Sequence, residues 1–181
     1  MTELPKNGKP NPYDVCPEYE SENFHLHLVS MDDAADLLAC YSDPSAQKFF
    51  NADNCTSDFL YSTLDEMRRC VEGWLQAHKA GYFFRFAIVG KKENKAIGTV
   101  EIFGGEYGVL RIDILSTYEN EEYLSELLKT ADSFFFDFGC ENIITKAIPE
   151  AVDRIAALTS NAYTPTPIGD GNKREYYYIK R

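Results

Sequence analysis

The sequence lacks the features that mark several large classes of protein. No apolar stretch approaches the ~20 residues that a membrane-spanning helix needs, and residues 1–15 contain no apolar core of the signal-peptide kind. Histidine is scarce, with three residues, and none of the five cysteines belongs to a C-x-x-C pair. These absences predict a cytoplasmic protein with reduced thiols and no metal site.

Basic residues are also in short supply. The chain carries 18 lysines and arginines against 29 aspartates and glutamates, a net charge of −11. Such a field repels nucleic acid and acidic lipid surfaces but tolerates cationic partners. With 181 residues, 44% of them hydrophobic, the chain can bury one sizeable core and is short for two.

Proline is concentrated at one end of the sequence. Four of the eight prolines lie in residues 1–22 among polar residues, which is typical of an extended or disordered arm. We therefore predict an N-terminal arm over 1–22 and a single domain over 23–181.

Hydrophobic periodicity divides that domain into alternating strands and helices. The pattern predicts strands at 24–29, 82–89, 96–103, 109–115, 143–148, 163–168 and 175–180. It predicts helices at 30–41, 59–78, 122–138 and 151–158, with Phe134 and Phe135 both on the buried face of the third. Short connections make the second to fourth strands an antiparallel meander. The fold class is α/β (α+β), with a mixed, mostly antiparallel sheet flanked by helices.

Charged residues recur inside this meander. Strand alternation places Arg85, Thr99, Glu101, Arg111 and Asp113 on one face of their strands. Charges in a half-buried sheet need partners, so cross-strand ion pairing is one interpretation. In the other, Glu101 or Asp113 is a catalytic general base that deprotonates a substrate ammonium.

The order of elements and several short phrases resemble the GNAT N-acetyltransferases. FHLHLV at 24–29, followed by MDDA, is similar to the opening strand and helix of the ribosomal-protein alanine acetyltransferase branch. AIGTVEI at 96–102 and FGCENI at 138–143 resemble internal strands of the family, and YYYIKR at 176–181 resembles its closing strand. The resemblance covers Phe24 to Arg181.

This resemblance implies a cofactor, a site and a substrate class. Family members bind acetyl-CoA in a V-shaped opening between the fourth and fifth strands, here 109–115 and 143–148. The matching cofactor-binding positions are Ile114, Leu115, Ser116, Asn120, Glu122, Tyr123 and Leu124. The implied activity is acetyl transfer to a primary amine, on a small molecule or a protein N-terminus, in a monomer or a possible homodimer.

The sequence departs from the family where the cofactor's pyrophosphate would bind. The family motif Q/R-x-x-G-x-G/A falls on Glu119, Glu122 and Leu124, and Glu121 adds a third carboxylate. Leu158 replaces a common tyrosine general acid, and an alanine, residue 151, stands where asparagine is common. First-turn glutamates stabilise a helix by ~0.3–1 kcal/mol, so a structural role explains these residues better than a binding role does. A cofactor-lost binding or dimerisation module is the alternative hypothesis.

Overall fold

The computed structural model describes residues 11–51, 57–103, 107–169 and 173–181, and the side chains of all of these except 167–169 and 173–175. The strands are β1 (Tyr19–Glu20), β2 (Phe24–Leu28), β3 (Phe84–Gly90), β4 (Lys95–Phe103), β5 (Tyr107–Ile114), β6 (Asn142–Lys146), β7 (Thr164–Gly169) and β8 (Lys173–Lys180). The helices are α1 (Ala34–Tyr41), α2 (Pro44–Gln47), α3 (Leu64–Lys79), α4 (Glu121–Ala131), α5 (Ser133–Asp137) and α6 (Val152–Ser160). Within these ranges no helix combines the length and apolar character needed to cross a bilayer.

One eight-stranded sheet organises the molecule, in the order β1-β2-β3-β4-β5-β6-β8-β7. Neighbouring strands are antiparallel except β5 and β6, which are parallel because α4 and α5 carry the chain back between them. The predicted mixed, mostly antiparallel sheet flanked by helices is confirmed.

Strands β5 and β6 pair over only part of their length. The parallel ladder joins Tyr107 to Asn142 and ends where Val109 faces Ile144. Beyond that point β5 continues to Ile114 with β4 as its partner, whereas the end of β6 pairs with β8. The two strands therefore separate into a V-shaped opening at the C-terminal end of β5, as predicted.

Each face of the sheet carries its own hydrophobic core. Helices α4 and α5 cover one face, where Phe86, Ile112 and Phe134 are buried in the larger cluster. Helices α1 and α3 cover the other face, with Leu37 and Val71 among the side chains of the second cluster. The polar residues of β3 to β5 face this second layer.

The long helix predicted over 122–138 is broken in two. Helix α4 ends at Ala131, and α5 begins at Ser133 after Asp132. Of the two phenylalanines predicted on its buried face, Phe134 is fully buried on the stripe that also holds Ala131 and Phe138, whereas Phe135, one position further around the helix, is only partly buried.

Helix α3 begins later than the 59–78 pattern predicts. A capping box defines its start, since the Thr63 side chain accepts from the Glu66 amide and Glu66 reaches back to the Thr63 amide. Phe59, predicted inside the helix, has a φ of 56°. That backbone conformation is incompatible with a right-handed helix.

Part of the segment predicted as an N-terminal arm packs against the domain. The Tyr13 ring lies 4.2 Å from Phe84 between centroids, and the buried Tyr19 donates a hydrogen bond to Asp137 at 2.9 Å. Residues 1–10, the rest of that predicted arm, lie outside the described residues.

Candidate active site

A row of charges crosses the centre of the sheet, on the face covered by α1 and α3. Strand register sets Arg85 opposite Glu101, and Glu101 opposite Arg111. The Arg85 guanidinium binds Glu101 Oε2 through Nη2, and Arg111 Nη1 lies 3.1 Å from Glu101 Oε1. The predicted cross-strand ion pairing is therefore present, and both oxygens of Glu101 are engaged.

Asp113 joins this row from the adjacent register position. Its Oδ2 accepts from Arg85 Nη1 at 3.1 Å and from the Tyr41 hydroxyl at 2.8 Å. Arg85 Nη1 also donates to the Thr99 hydroxyl at 2.9 Å. Thr99 faces Asp113 across β4 and β5, so Arg85 contacts side chains from two neighbouring cross-strand pairs and connects them with Tyr41 of α1 in a single network.

The two carboxylates differ in their unused hydrogen-bonding capacity. Asp113 Oδ1 is buried and has no hydrogen-bond partner among the described residues, whereas Glu101 uses both oxygens. A buried carboxylate oxygen without a partner costs free energy unless a ligand or water satisfies it. Asp113 is thus the member of the network with a free acceptor.

Arg85 holds the network together. Its side chain is 2% exposed, and its guanidinium carbon lies 4.2 Å from the centroid of the Trp74 ring. Burial by itself lowers the pKa of Arg85, but the negative charge of Glu101, together with Tyr41 and Asp113, raises it above the usual value. Burial and the Asp113 charge in turn raise the pKa of Tyr41. Two guanidinium groups and two carboxylates leave the network without net charge.

A close approach of β4 and β5 positions Asp113. A Cβ at Gly98 would lie 2.2 Å from the Asp113 carbonyl oxygen and 2.7 Å from the Ile114 Cα. Only glycine fits at this position, so Gly98 allows β5 to close on β4 at the end that leads into the opening.

A cavity of about 230 Å³ lies beside that end of β5. It is lined by Ser45 of α2 and the two residues after that helix, by Ser116 and Glu119 after β5, and by residues 150–154 at the start of α6. The Ser116 amide donates to Asp43 Oδ2 at 3.3 Å, which ties the loop after β5 to the start of α2. The cavity thus lies between helix α2, the loop after β5 and the start of α6.

The predicted cofactor-binding residues follow β5 in order into α4. Ile114 is buried at the end of β5, Leu115 is partly buried, and Ser116 begins a short 3₁₀ turn. Leu124 is 1% exposed and packs in the larger core, so its side chain cannot be removed cheaply. Its amide donates to the carbonyl of Asn120, the first hydrogen bond within the helix.

The N-terminus of α4 is capped by the protein itself. Asn120 is the N-cap, and its Oδ1 accepts from the Tyr123 amide at 3.0 Å. Glu121 and Glu122 occupy the first turn and are exposed, with Glu121 accepting from the Ser160 hydroxyl at 3.1 Å. Their two amides are the remaining first-turn donors of α4.

Glu119 does not face solvent as a free carboxylate. Its two oxygens accept from Arg154 Nε and Nη2, each at 2.7 Å, and the two side chains are 7% and 6% exposed. This bidentate pair joins the loop before α4 to the first turn of α6. Two other departures from the family pattern, Ala151 and Leu158, are both buried and supply no polar group.

Solved structures with the same architecture are acetyltransferases. A ribosomal-protein-S5-alanine acetyltransferase from Vibrio fischeri matches 91% of this chain and 96% of its own, at 17% identity and a TM-score of 0.68. An acetyltransferase of the GNAT family from Bacillus anthracis matches 91% and 98%, at 16% identity and a TM-score of 0.67. The fold is that of the GNAT acetyltransferases. Neither a protein-family model nor a curated protein matches the sequence.

One GNAT-fold neighbour has been solved with a form of coenzyme A. Mycobacterium smegmatis RimJ, in complex with CoA-disulfide, matches 86% of this chain and 79% of its own, at 15% identity and a TM-score of 0.68. In the present chain the separated edge of β5 fits an extended, amide-bearing ligand arm. The start of α4 fits a phosphate end less well, because Glu121 and Glu122 place exposed carboxylates in its first turn, whereas the carboxylate of Glu119 is paired with Arg154.

The sequence patterns did not single out two residues of this GNAT-fold site. Arg154 falls on the apolar stripe of α6, in register with Ala151, Ala157 and Leu158. An arginine at such a position signals a buried partner, which could have been sought in advance. Tyr41 ends the first predicted helix as one more apolar residue of its pattern; its ring packs against Trp74, but its hydroxyl reaches Asp113.

Proposed function

We propose that this protein is an acetyl-CoA-dependent N-acetyltransferase acting on a primary amine. The observation that carries the proposal is the edge of β5 from Leu110 to Ile114, which separates from β6 and has its other edge on β4. An unpaired strand edge offers backbone donors and acceptors to an extended ligand. When bound, acetyl-CoA supplies an acetyl group activated as a thioester.

Asp113 is the proton acceptor in this proposal. An ammonium ion must lose a proton before its nitrogen can form an amide bond, and a positioned carboxylate can take that proton. Oδ1 of Asp113 is the free oxygen, while Arg85 and Tyr41 hold Oδ2. Glu101 is a positioning residue, because both of its oxygens hold arginines.

The acceptor in this proposal is a cationic amine, with a protein N-terminus as the favoured class. The net charge of −11 attracts cations, and Glu150 and Asp153 line the cavity beside the end of β5. The Vibrio fischeri neighbour acts on a ribosomal protein. A cytoplasmic location agrees with such an acceptor and with the free cysteines among the described residues.

A pair of matched variants tests this assignment. Asp113→Asn and Glu101→Gln each remove one carboxylate from the same balanced network, so they should cost similar stability. Acetyl transfer to peptide N-termini should fall about 10²–10⁴-fold in Asp113→Asn and far less in Glu101→Gln, because only Asp113 accepts the proton.

The readout should separate kcat from KM for the amine. The loss in Asp113→Asn should lie mainly in kcat, because the proton is taken up in the chemical step, and KM should change little. Equal losses of activity in the two variants would show that the network is only structural, and absence of acetyl transfer by the unmodified protein to any peptide or polyamine tested would refute the proposal.

The alternative is a GNAT-shaped binding or dimerisation module without a cofactor. The observation that favours it is the bidentate Glu119–Arg154 pair together with the exposed carboxylates Glu121 and Glu122. On that hypothesis the protein's own carboxylates replace the cofactor's phosphates. Absence of acetyl-CoA and CoA binding, with the protein fully folded, would favour this alternative.

A further inference from the structure

The hydroxyl of Tyr41 lies where the side chains of the buried charge network meet. Tyr41 is the last residue of α1, its side chain is fully buried, and its ring packs against Trp74. The hydroxyl oxygen lies 2.8 Å from Asp113 Oδ2, 2.8 Å from Thr99 Oγ1 and 3.1 Å from Arg85 Nη1. A single side chain from the helix layer therefore contacts three polar side chains of the sheet.

The chemistry of these groups fixes the direction of their hydrogen bonds. A carboxylate only accepts, so Tyr41 donates its one hydroxyl proton to Asp113 Oδ2. A guanidinium only donates, and Arg85 Nη1 donates to the hydroxyl oxygens of both Tyr41 and Thr99. The Thr99 hydroxyl then donates to Tyr41. Since burial and the Asp113 charge raise the pKa of Tyr41, its hydroxyl keeps the proton that it donates at neutral pH.

The Tyr41 hydroxyl also makes the two oxygens of Asp113 unequal. Oδ2 receives Tyr41 at 2.8 Å and Arg85 at 3.1 Å, whereas Oδ1 is buried and has no hydrogen-bond partner among the described residues. A buried acceptor without a donor costs free energy, so a carboxylate that is free to rotate turns both oxygens toward the available donors. Without the hydroxyl, one contact at 3.1 Å would hold Asp113, and Oδ1 could rotate toward the guanidinium.

We propose that Tyr41 is a positioning residue that keeps the free oxygen of Asp113 turned toward the acceptor amine. This inference rests on the proposed function, in which Oδ1 takes a proton from the ammonium ion. The nitrogen keeps the electron pair of the broken N–H bond and uses it to form the amide bond. No bond of Tyr41 forms or breaks, so Tyr41 affects the rate only through Asp113.

A purely structural role makes a different prediction. If the hydroxyl only satisfies a buried carboxylate, its removal lowers stability and leaves the kcat of the folded protein unchanged. If the hydroxyl positions Asp113, its removal lowers kcat, and KM for the amine stays nearly constant because the binding contacts remain. The two roles therefore separate in the steady-state kinetics of the folded variant.

The first experiment replaces Tyr41 by phenylalanine, which removes the hydroxyl and keeps the ring. The kcat for acetyl transfer to peptide N-termini should fall about 10–100-fold, with KM for the amine within about twofold. Tyr19→Phe is the matched control, because Tyr19 is also buried and donates to a carboxylate, that of Asp137, at 2.9 Å. Tyr19 belongs to the core on the opposite face of the sheet, so kcat should stay within about twofold in this control.

A double variant tests whether Tyr41 acts through Asp113. In the Asp113→Asn background, Tyr41→Phe should change kcat by less than about threefold, because the group that Tyr41 positions is already lost. A contribution of Tyr41 that is independent of Asp113 would instead lower kcat by the same factor in both backgrounds.

Each outcome supports or overturns the inference. An unchanged kcat in Tyr41→Phe, an equal loss in Tyr19→Phe, or a full loss in the Asp113→Asn background would overturn the positioning role and leave the proposed function intact. Absence of acetyl transfer by the unmodified protein would overturn both. If Tyr41→Phe does not fold, Tyr41→Met also fills the buried site without a hydroxyl and takes its place, with the same expected loss of kcat.

Discussion

Replacing Arg85 by methionine is the strongest test of the buried charge network. The variant leaves Asp113 with Tyr41 as its hydrogen-bond donor, while Glu101 keeps Arg111 at 3.1 Å. One net negative charge then remains in a site where both carboxylates are 3% exposed. Removing one partner of a buried pair costs about 3–5 kcal/mol, a large share of the roughly 5–15 kcal/mol stability of a typical domain.

Urea unfolding followed by tryptophan fluorescence is the natural assay. The single tryptophan, Trp74, stacks on Arg85 and so reports from the network itself. Arg68→Met serves as the control, because Arg68 is 55% exposed and pairs with the 80% exposed Asp65 on the surface of α3. That replacement should cost less than about 1 kcal/mol.

The uncompensated charge in Arg85→Met leads to two further predictions. Adding Asp113→Asn should recover at least about half of the lost stability, because it removes the uncompensated charge. Lowering the pH should also reduce the difference in unfolding free energy between the variant and the unmodified protein. Protonating the uncompensated buried carboxylate stabilises the folded variant more than it stabilises the unfolded chain. A loss below about 1 kcal/mol, with no rescue, would show that the network is effectively solvated and refute this reasoning.

Two other predictions follow from the packing and the pKa shifts. Phe134→Ala should lower the free energy of unfolding in urea by about 3–5 kcal/mol, because Phe134 is fully buried. Phe136 is 54% exposed, and its replacement by alanine should change this free energy by no more than about 0.5 kcal/mol. Equal effects would mean that the buried face of α5 is assigned wrongly. A hydrogen bond to Asp33 raises the pKa of His27 in the folded protein. The stability that His27 contributes is therefore complete below the pKa of about 6.5 of the unfolded chain, and it declines as the pH rises through the higher pKa of the folded protein. His27→Gln should therefore lower the melting temperature more at about pH 6 than at about pH 9, and the opposite order would contradict the pairing.

Strand periodicity predicted most of the fold and the charged residues of the sheet that belong to the candidate site. Alternation predicted that Arg85, Glu101 and Asp113 each lie on one face of their own strand. The register of the antiparallel pairs, which the sequence did not predict, brings these faces to the same side of the sheet. Periodicity could not distinguish Asp113 from Glu101. The free oxygen on Asp113 depends on which arginine reaches which carboxylate, and only the side-chain geometry decides that.

Contacts between elements that are distant along the chain could not be predicted from the sequence. Glu119 and Arg154 lie 35 positions apart on a loop and a helix, so no local pattern relates them. The comparison with the family motif therefore treated Glu119, Glu121 and Glu122 alike, as carboxylates where the pyrophosphate would bind, whereas Glu119 is paired with a buried arginine. The start of α3 was locally readable, because Thr63 and Glu66 have the spacing of a capping box.

The contacts of Glu119 and Leu124 determine which substitutions at the start of α4 the fold can tolerate. Restoring the family motif through Glu119→Arg, Glu122→Gly and Leu124→Gly together would remove a core side chain, since Leu124 is 1% exposed. The cost of about 2–5 kcal/mol expected for such a truncation would obscure any gain in binding. Glu119→Gln changes the electrostatics without opening the core.

Hydrogen–deuterium exchange of β5 with and without saturating acetyl-CoA tests the central claim most directly. If the cofactor lies in the opening between β5 and β6, exchange of the amides of Leu110 to Ile114 should slow on binding, together with those from Glu119 to Leu124 at the start of α4. Strand β3, in the interior of the meander, should be unchanged and provides the internal control. Unaltered exchange along β5 at saturating acetyl-CoA, or protection confined to another part of the chain, would contradict the account.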